Sequence, residues 1–267
     1  MSKLLYIAPG QVGDDPVERG FRACIREGTG LDAIGFTRGP GHLEYGYYET
    51  LVLPDLVHTV MRAEEIGYDA AIIGCFYDLG LHTCREMTRG MVITAPCESS
   101  TLLAASLGDR FSIIVGRTKW IPQMRETVSA YGLASRLASF RILNFGVLDY
   151  HVDEARTARR FEEEARKAVE EDGAEVIILG CTASVGFARQ LQAEIGVPVI
   201  DSGVAAIKHA EHLVELRRSQ GLSHSKVGRY ESPPQAEIDA WDLVPNGSLA
   251  SIEDIWHRIE MDDPDSI

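Results

Sequence analysis

The apolar positions of the chain fall into short unbroken runs separated by longer stretches of mixed character. The runs at 4–8, 70–73, 91–94, 111–115, 176–179 and 197–200 are continuous rather than alternating. That is the pattern of strands covered by helices on both faces of a parallel sheet. Between them, residues 56–66, 156–171, 186–194 and 204–218 carry apolar residues at helical spacing. The sequence therefore predicts an α/β sandwich architecture.

The pattern also repeats. Glu65-Ile66-Gly67-Tyr68-Asp69-Ala70-Ala71-Ile72-Ile73-Gly74-Cys75 aligns without a gap to Glu171-Asp172-Gly173-Ala174-Glu175-Val176-Ile177-Ile178-Leu179-Gly180-Cys181, at a constant offset of 106 residues (67 to 173, 75 to 181). Each copy reads as a helix end, a glycine cap, an acidic residue, an apolar strand and then Gly-Cys. Val92-Ile93-Thr94 echoes Val199-Ile200-Asp201, and Leu5-Tyr6-Ile7-Ala8 echoes Phe111-Ser112-Ile113-Ile114. Internal similarity of this kind predicts two α/β halves related by a pseudo-twofold axis, presenting equivalent loops to one shared cleft. Ligands of such sheets bind outside the carboxyl ends of the strands. Cys75 and Cys181, each just past a strand end, are thus expected on opposite walls of that cleft.

Composition narrows the class. A chain of 267 residues suits two domains of moderate size. With 45% hydrophobic and 25% charged residues it can bury real cores and stay soluble. A net charge of −14 without a clustered basic surface argues against a nucleic-acid partner. Acidic runs such as Glu162-Glu163-Glu164 read as solvated helix faces. No apolar run approaches the roughly 18–20 residues that span a bilayer, so no membrane partner is expected. Met1-Ser2-Lys3 leads directly into an apolar run too short for a secretory core. The five cysteines are odd in number and lack any Cys-x-x-Cys pair, which predicts a cytoplasmic protein with reduced thiols and no structural metal site.

Two thiols in register within a repeat suggest a chemistry. Inverting a stereocentre requires removing a proton from one face and returning one to the other, and two fixed groups do this without moving. A free cysteine titrates near about 8.5, so a modest lowering makes it a competent base. The start of a helix after each cysteine is expected to supply that lowering and to hold an oxyanion. Cys24 and Cys84 read as structural helix residues, and Cys97, after Ala95-Pro96, as a weak candidate to line the cleft. Asp78 reads as a cap for the helix after Cys75, and His82 as a solvated or capping residue on that helix. Thr182 offers a hydroxyl and an N–H to a ligand. Asp201-Ser202-Gly203 reads as a helix-capping turn. The glycine-rich stretch from Thr37 to Tyr48, with Tyr45, Tyr47 and Tyr48, reads as either a lid over the cleft or a long connection.

These residues together resemble the aspartate/glutamate/hydantoin racemase superfamily, and within it the hydantoin racemase branch. Gly74-Cys75-Phe76-Tyr77-Asp78-Leu79-Gly80-Leu81 is similar to the branch's first cysteine motif, Cys-Phe-x-Asp-Pro-Gly-Leu, with Leu79 in place of proline. Leu179-Gly180-Cys181 resembles the second. Tyr131-Gly132-Leu133-Ala134-Ser135-Arg136-Leu137-Ala138-Ser139, the Gly39-Pro40 loop with Glu44 and Tyr48, and Gly196-Val197-Pro198-Val199-Ile200-Asp201 extend the likeness over most of the chain. The resemblance implies two flavodoxin-like three-layer αβα domains and racemisation or epimerisation next to a carbonyl by a two-cysteine acid/base mechanism. It implies no cofactor, neither pyridoxal phosphate nor metal, and a homo-oligomer. It places the domains at 1–100 plus 201–220 and at 101–200, leaving 221–267 as a C-terminal extension without an assigned role.

The resemblance also fills out the pocket. Phe76, Tyr77, Thr182 and Ala183, beside the cysteines, are expected to bind substrate, together with Tyr48 and the strand-end positions Pro9, Gly10 and Gly116. At those strand ends the chain departs from the family. Ala8-Pro9-Gly10-Gln11 stands where an Asn-Pro-Asn-Thr-like turn is usual, and Val115-Gly116 where two threonines are common. Both changes remove polar groups and count against a ring such as hydantoin or allantoin. The substrate class is thus a hydantoin, an amino acid or a related carbonyl compound. Two other readings stay open at this point: a superfamily isomerase using one cysteine as a nucleophile on a double bond, and a catalytically silent small-molecule binding protein.

Overall fold

The structure, a computed structural model, describes residues 1–11 and 19–259. The chain divides into two compact units. The first comprises Met1–Gly74, Leu79–Thr94 and the chain from Ile207 onward; the second comprises Cys75–Asp78 and Ala95–Ala206.

In the first unit, β1 (Ser2–Gln11) and β2 (Thr29–Phe36) are followed by α1 (Gly46–Glu65), β3 (Ala70–Ile73), α2 (Leu81–Met87) and β4 (Val92–Thr94). The second unit contains α3 (Pro96–Leu107), β5 (Phe111–Val115), α4 (Ile121–Ala130), β6 (Leu137–Ile142), α5 (Glu154–Glu170), β7 (Val176–Leu179), α6 (Ala188–Ile195) and β8 (Val199–Asp201). Helix α7 (Ser202–Gln220) begins in the second unit and ends in the first, which then adds α8 (Gln235–Ala240) and β9 (Trp256–Ile259).

The strand orders are β4-β3-β1-β2-β9 and β8-β7-β5-β6. Apart from β9, which pairs antiparallel with β2, every pairing is parallel. Each sheet therefore carries the same four-strand order, the 2-1-3-4 arrangement of flavodoxin-like sheets. All residues of β3, β5 and β7 are buried, as their unbroken apolar runs require.

The repeat is visible in the hydrogen bonds. Asp69 N donates to the Lys3 carbonyl at 2.8 Å, while the Asp69 carboxylate accepts from Lys3 N at 2.9 Å. In the second unit Glu175 N donates to the Arg110 carbonyl at 2.9 Å, and its carboxylate accepts from Asp109 N at 2.6 Å. The repeated acid thus staples the start of one strand to its parallel neighbour. At the other end of the strands, Gly74 N donates to the Ile7 carbonyl at 2.7 Å and Gly180 N to the Ile114 carbonyl at 2.8 Å. A Cβ on Gly74 would lie 2.5 Å from the Tyr6 hydroxyl, and one on Gly180 would lie 2.6 Å from Ile113 Cγ2. Close packing against the neighbouring strand therefore demands glycine before each cysteine.

The register corrects two of the echoes read from sequence. Leu4 faces Ala70 and Phe111 faces Val176, so Leu4, not Leu5, corresponds to Phe111. Ile93 faces Ala71 and Val199 faces Ile177, so Val199 corresponds to Ile93. The 106-residue offset accordingly continues past the strands and equates Ala95, just before α3, with Asp201, just before α7.

Other elements differ from expectation for identifiable reasons. Helix α1 starts at Gly46, ten residues before the predicted start at 56, and runs through Pro54, a residue that ordinarily reads as a stop. Its buried stripe of Val52, Leu56, Thr59, Val60 and Ala63 holds it against the sheet. Strand β2 carries two glycines and an aspartate, and β6 is a half-exposed edge strand containing Ser139 and Arg141, so neither shows a continuous apolar run. Residues 221–259 pack within the first unit. The segment Leu249–Ile255 contacts α1, β9 extends the sheet at β2, and Trp256 Nε1 donates to the Thr59 hydroxyl at 3.0 Å. No helix among the described residues is long and apolar enough to cross a membrane.

Candidate active site

Each cysteine leaves its strand through a tight turn that closes on the cysteine's own carbonyl. Asp78 N donates to Cys75 O at 3.0 Å, and Ser184 N donates to Cys181 O at 3.1 Å. The Ser184 hydroxyl adds a second bond to Cys181 O at 2.5 Å. Asp78 and Ser184 again stand 106 residues apart (78 to 184), so the turns as well as the strands are equivalent. None of the five cysteines is in a disulfide. Cys75 and Cys181 are partly exposed, whereas Cys84 and Cys97 are sealed at 0% exposure. Burial pushes the Cys84 thiol up to about 12. Burial, reinforced by the neighbouring Asp78 and Glu98 carboxylates, pushes Cys97 well above the ordinary thiol range.

Three expectations need correction here. No α-helix begins at either cysteine: α2 starts at Leu81, and Cys181 is followed by a short 3-10 turn, Thr182–Ser184, well before α6. The N–H groups of Asp78 and Ser184 are spent on the cysteine carbonyls, so a helix terminus is not what tunes the thiols. Cys97 does not line an open site but lies in the buried first turn of α3. Asp78 does cap a helix, though not the one that follows it. Its carboxylate accepts from Cys97 N and Glu98 N, both at 2.8 Å, at the N-terminus of α3.

That capping builds a buried cluster. The Asp78 carboxylate also accepts the Tyr131 hydroxyl at 2.6 Å, and Asp78 is 7% exposed. Burial raises its carboxyl from the ordinary range to about 7, against the pull of these three donors. Burial and the adjacent Asp78 carboxylate also raise the Tyr131 phenol. At the other helix, Asp201 Oδ1 accepts from Gly203 N at 3.0 Å and Val204 N at 3.1 Å, the capping turn expected from sequence. Burial raises Asp201 too. Near Cys181, His151 Nε2 donates to the Ala183 carbonyl at 2.9 Å, bracing the 3-10 turn. Tyr131 and His151 were not singled out by sequence reasoning. Tyr131 lay within the family-like phrase, where its role had no visible partner.

The remaining predicted positions divide between the units. Phe76 is buried and Tyr77 and Thr182 are partly exposed, and with Ala183 and Gly116 they belong to the second unit with both cysteines. Gly116 is packed beneath Trp120, whose Cη2 would lie 2.4 Å from a Cβ there. Pro9, Gly10 and Tyr48 belong to the first unit. Pro9 and Gly10 do not form a turn after β1. They are buried within it, where its pairing with β2 slips between Ile7 and Gln11. Tyr48 sits in the first turn of α1, packed edge-on to His42 and Tyr45, so Gly46 to Tyr48 are helix rather than loop. His82, in α2, bonds through Nδ1 to the Tyr230 hydroxyl at 3.0 Å. A separate cavity of about 1060 Å³ in the first unit, lined by Glu64, Arg89, Arg217 and Asp239 among others, contains no cysteine. Among the described residues, no group of three or more His, Cys, Asp or Glu side chains is arranged to hold a metal ion.

The family model described as Asp/Glu/Hydantoin racemase matches residues 15–210. A hydantoin racemase of Paenarthrobacter aurescens is 38% identical over 238 residues, covering 88% of this chain and 99% of that protein. A hydantoin racemase of Pseudomonas sp. (strain NS671) is 36% identical over 221 residues, covering 83% and 87% respectively. The solved structure of allantoin racemase from Klebsiella pneumoniae matches with a TM-score of 0.80 at 27% identity, over 88% of this chain and 94% of that one.

Proposed function

The chain belongs to the Asp/Glu/hydantoin racemase family and is an isomerase, and we propose that it racemises 5-substituted hydantoins with Cys75 and Cys181 as paired acid and base. The observation that carries this reading is their equivalence. Each follows the same strand and glycine, each closes the same turn, and each is partly exposed while Cys84 and Cys97 are sealed. Packing alone gives no reason to repeat a part-exposed thiol at both positions.

In this mechanism one cysteine acts as thiolate and takes the proton from the stereogenic carbon next to the carbonyl. The electron pair moves into the adjacent carbonyl to give an enolate. The other cysteine, present as thiol, donates its proton to the opposite face and is left as thiolate. The reverse reaction exchanges the roles, so both protonation states occur in each turnover.

The hydantoin ring comes from the names of the relatives at 36–38% identity. The sequence counted against such a ring because Gly10 and Gly116 bring no polar side chain. Both positions are buried, and backbone groups can replace side-chain donors to a cyclic imide. The test is loss of optical rotation from an enantiopure 5-alkylhydantoin, above the buffer rate and without added cofactor. Racemisation that disappears in Cys75→Ser and in Cys181→Ser supports the reading. Full activity in either variant overturns the two-base assignment.

A further inference from the structure

We propose that Asp78 and Tyr131 are positioning residues for Cys75, an inference that rests on the two-thiol reading above. Asp78 closes the turn that starts at Cys75, and its own backbone is held at φ 54°, in the left-handed region. Such a conformation is uncommon outside glycine and persists where the surroundings fix it. Here the carboxylate does so through Cys97 N, Glu98 N and the Tyr131 hydroxyl.

The comparison between the two copies shows that this is not an ordinary cap. At α7 the capping carboxylate is Asp201, in the chain just before the helix. The equivalent residue before α3 is Ala95, which offers no side-chain bond. The cap for α3 is instead imported from the cysteine turn. Helix α3 packs on β5, β7 and β8, so the imported cap anchors the Cys75 turn to the core of the second unit. Tyr131, at the end of α4, ties the same carboxylate to a second helix. At the equivalent turn the Ser184 hydroxyl returns to the Cys181 carbonyl, and Ser184 meets the start of α6 through its main-chain carbonyl, which accepts from Phe187 N at 3.3 Å, instead of through its side chain.

Asp78 touches none of the reacting atoms in this account; it acts through Cys75. A side chain that fixes one thiol of a pair has a consequence that general destabilisation lacks. At equilibrium the enantiomers are equally abundant, so kcat/KM falls equally in both directions whichever thiol is displaced. Exchange of the substrate proton with retention of configuration needs only the thiol on that face, and it separates the two.

The experiment measures solvent deuterium exchange with retention for each enantiomer of a 5-alkylhydantoin, using the wild type, Asp78→Asn and Tyr131→Phe. Asparagine tolerates the left-handed backbone, and phenylalanine removes a single oxygen, so both variants retain the local shape. Cys75→Ser and Cys181→Ser assign each enantiomer to its thiol. The expected result is a 10- to 100-fold loss for the enantiomer served by Cys75, since a displacement of about 1 Å costs about 10²-fold. The other enantiomer should stay within about threefold. Equal loss for both enantiomers, or no loss in Tyr131→Phe, overturns the proposal. Should either variant fold poorly, the rate of iodoacetamide labelling at Cys75 relative to Cys181 decides. An unchanged ratio in the variant that folds contradicts the proposal. A wild-type enzyme that exchanges neither enantiomer refutes the proposed action on 5-substituted hydantoins and is distinct from both outcomes.

Discussion

Replacing Gly74 with alanine probes the link between sheet packing and the candidate site. A Cβ at this position would lie 2.5, 2.6 and 2.8 Å from three atoms of the Tyr6 ring, where ordinary contact begins at 3.4 Å. The ring or the Gly74 backbone must therefore move by about 0.6–0.9 Å. Tyr6 is 1% exposed and packs 4.9 Å from the Phe21 ring, so little of the movement can be absorbed there. Overpacking of a tight core costs about 1–3 kcal/mol, which corresponds to a fall in Tm of about 2–4 °C per kcal/mol for a chain of this size. If half the displacement passes to Cys75, the next residue, catalysis should fall by about 4- to 8-fold on the scale of about 10² per ångström. Gly67→Ala is the control. Nothing lies within 4 Å of a Cβ there, but its φ is 88°. Strain alone should cost about 1–2 kcal/mol and leave activity intact. Thermal unfolding and racemisation rates on both variants provide the assay. Wild-type activity in Gly74→Ala together with an unchanged Tm would refute the reasoning.

Two further outcomes follow from the cysteines and the buried acid. Iodoacetamide at pH 8 should label Cys75 and Cys181 while sparing Cys84 and Cys97, which are fully buried with thiols held above the ordinary range; peptide mapping that finds Cys84 modified as fast as Cys75 would contradict the packing. Because the folded protein holds Asp78 at about 7 against an ordinary value of 3.8, the native state binds its proton more tightly than the unfolded chain. The contribution of Asp78 to stability is therefore full below about pH 4 and is lost as the pH rises through about 7. Between pH 5 and 8 the loss is on the order of 3 kcal/mol. Urea unfolding at these two pH values should show a smaller difference in Asp78→Asn than in the wild type, and an equal difference would exclude Asp78 as its source.

Much of this architecture is legible in the residue pattern because burial on both faces of a parallel sheet leaves an unbroken apolar run. The strands β3, β5 and β7 announce themselves in that way, and so does the Gly-Cys that ends two of them. Strands β2 and β6 do not, because glycine, Asp32, Ser139 and Arg141 interrupt them. Helix α3 was hidden for a similar reason: its buried side includes Ser99, Ser100 and Thr101, which carry no apolar signal. The weaker echoes slipped by one residue because short apolar strands match in more than one register, and only the inter-strand pairing fixes the choice. At the candidate site, the equivalence of Cys75 and Cys181 followed from spacing alone. The partners of Asp78 could not, since Cys97, Glu98 and Tyr131 meet it only through folding. Pro54 misled in the opposite direction, because packing along α1 overrode its tendency to end a helix.

The central claim is that Cys75 and Cys181 serve opposite faces of one stereocentre, and deuterium exchange on the single-cysteine variants tests it most directly. Cys181→Ser and Cys75→Ser, each incubated in deuterium oxide with the separate enantiomers of a 5-alkylhydantoin, should lose racemisation. Each should retain exchange for one enantiomer only, and the retained enantiomers should be opposite. Exchange of the same enantiomer in both variants, or racemisation persisting in either, would contradict the account.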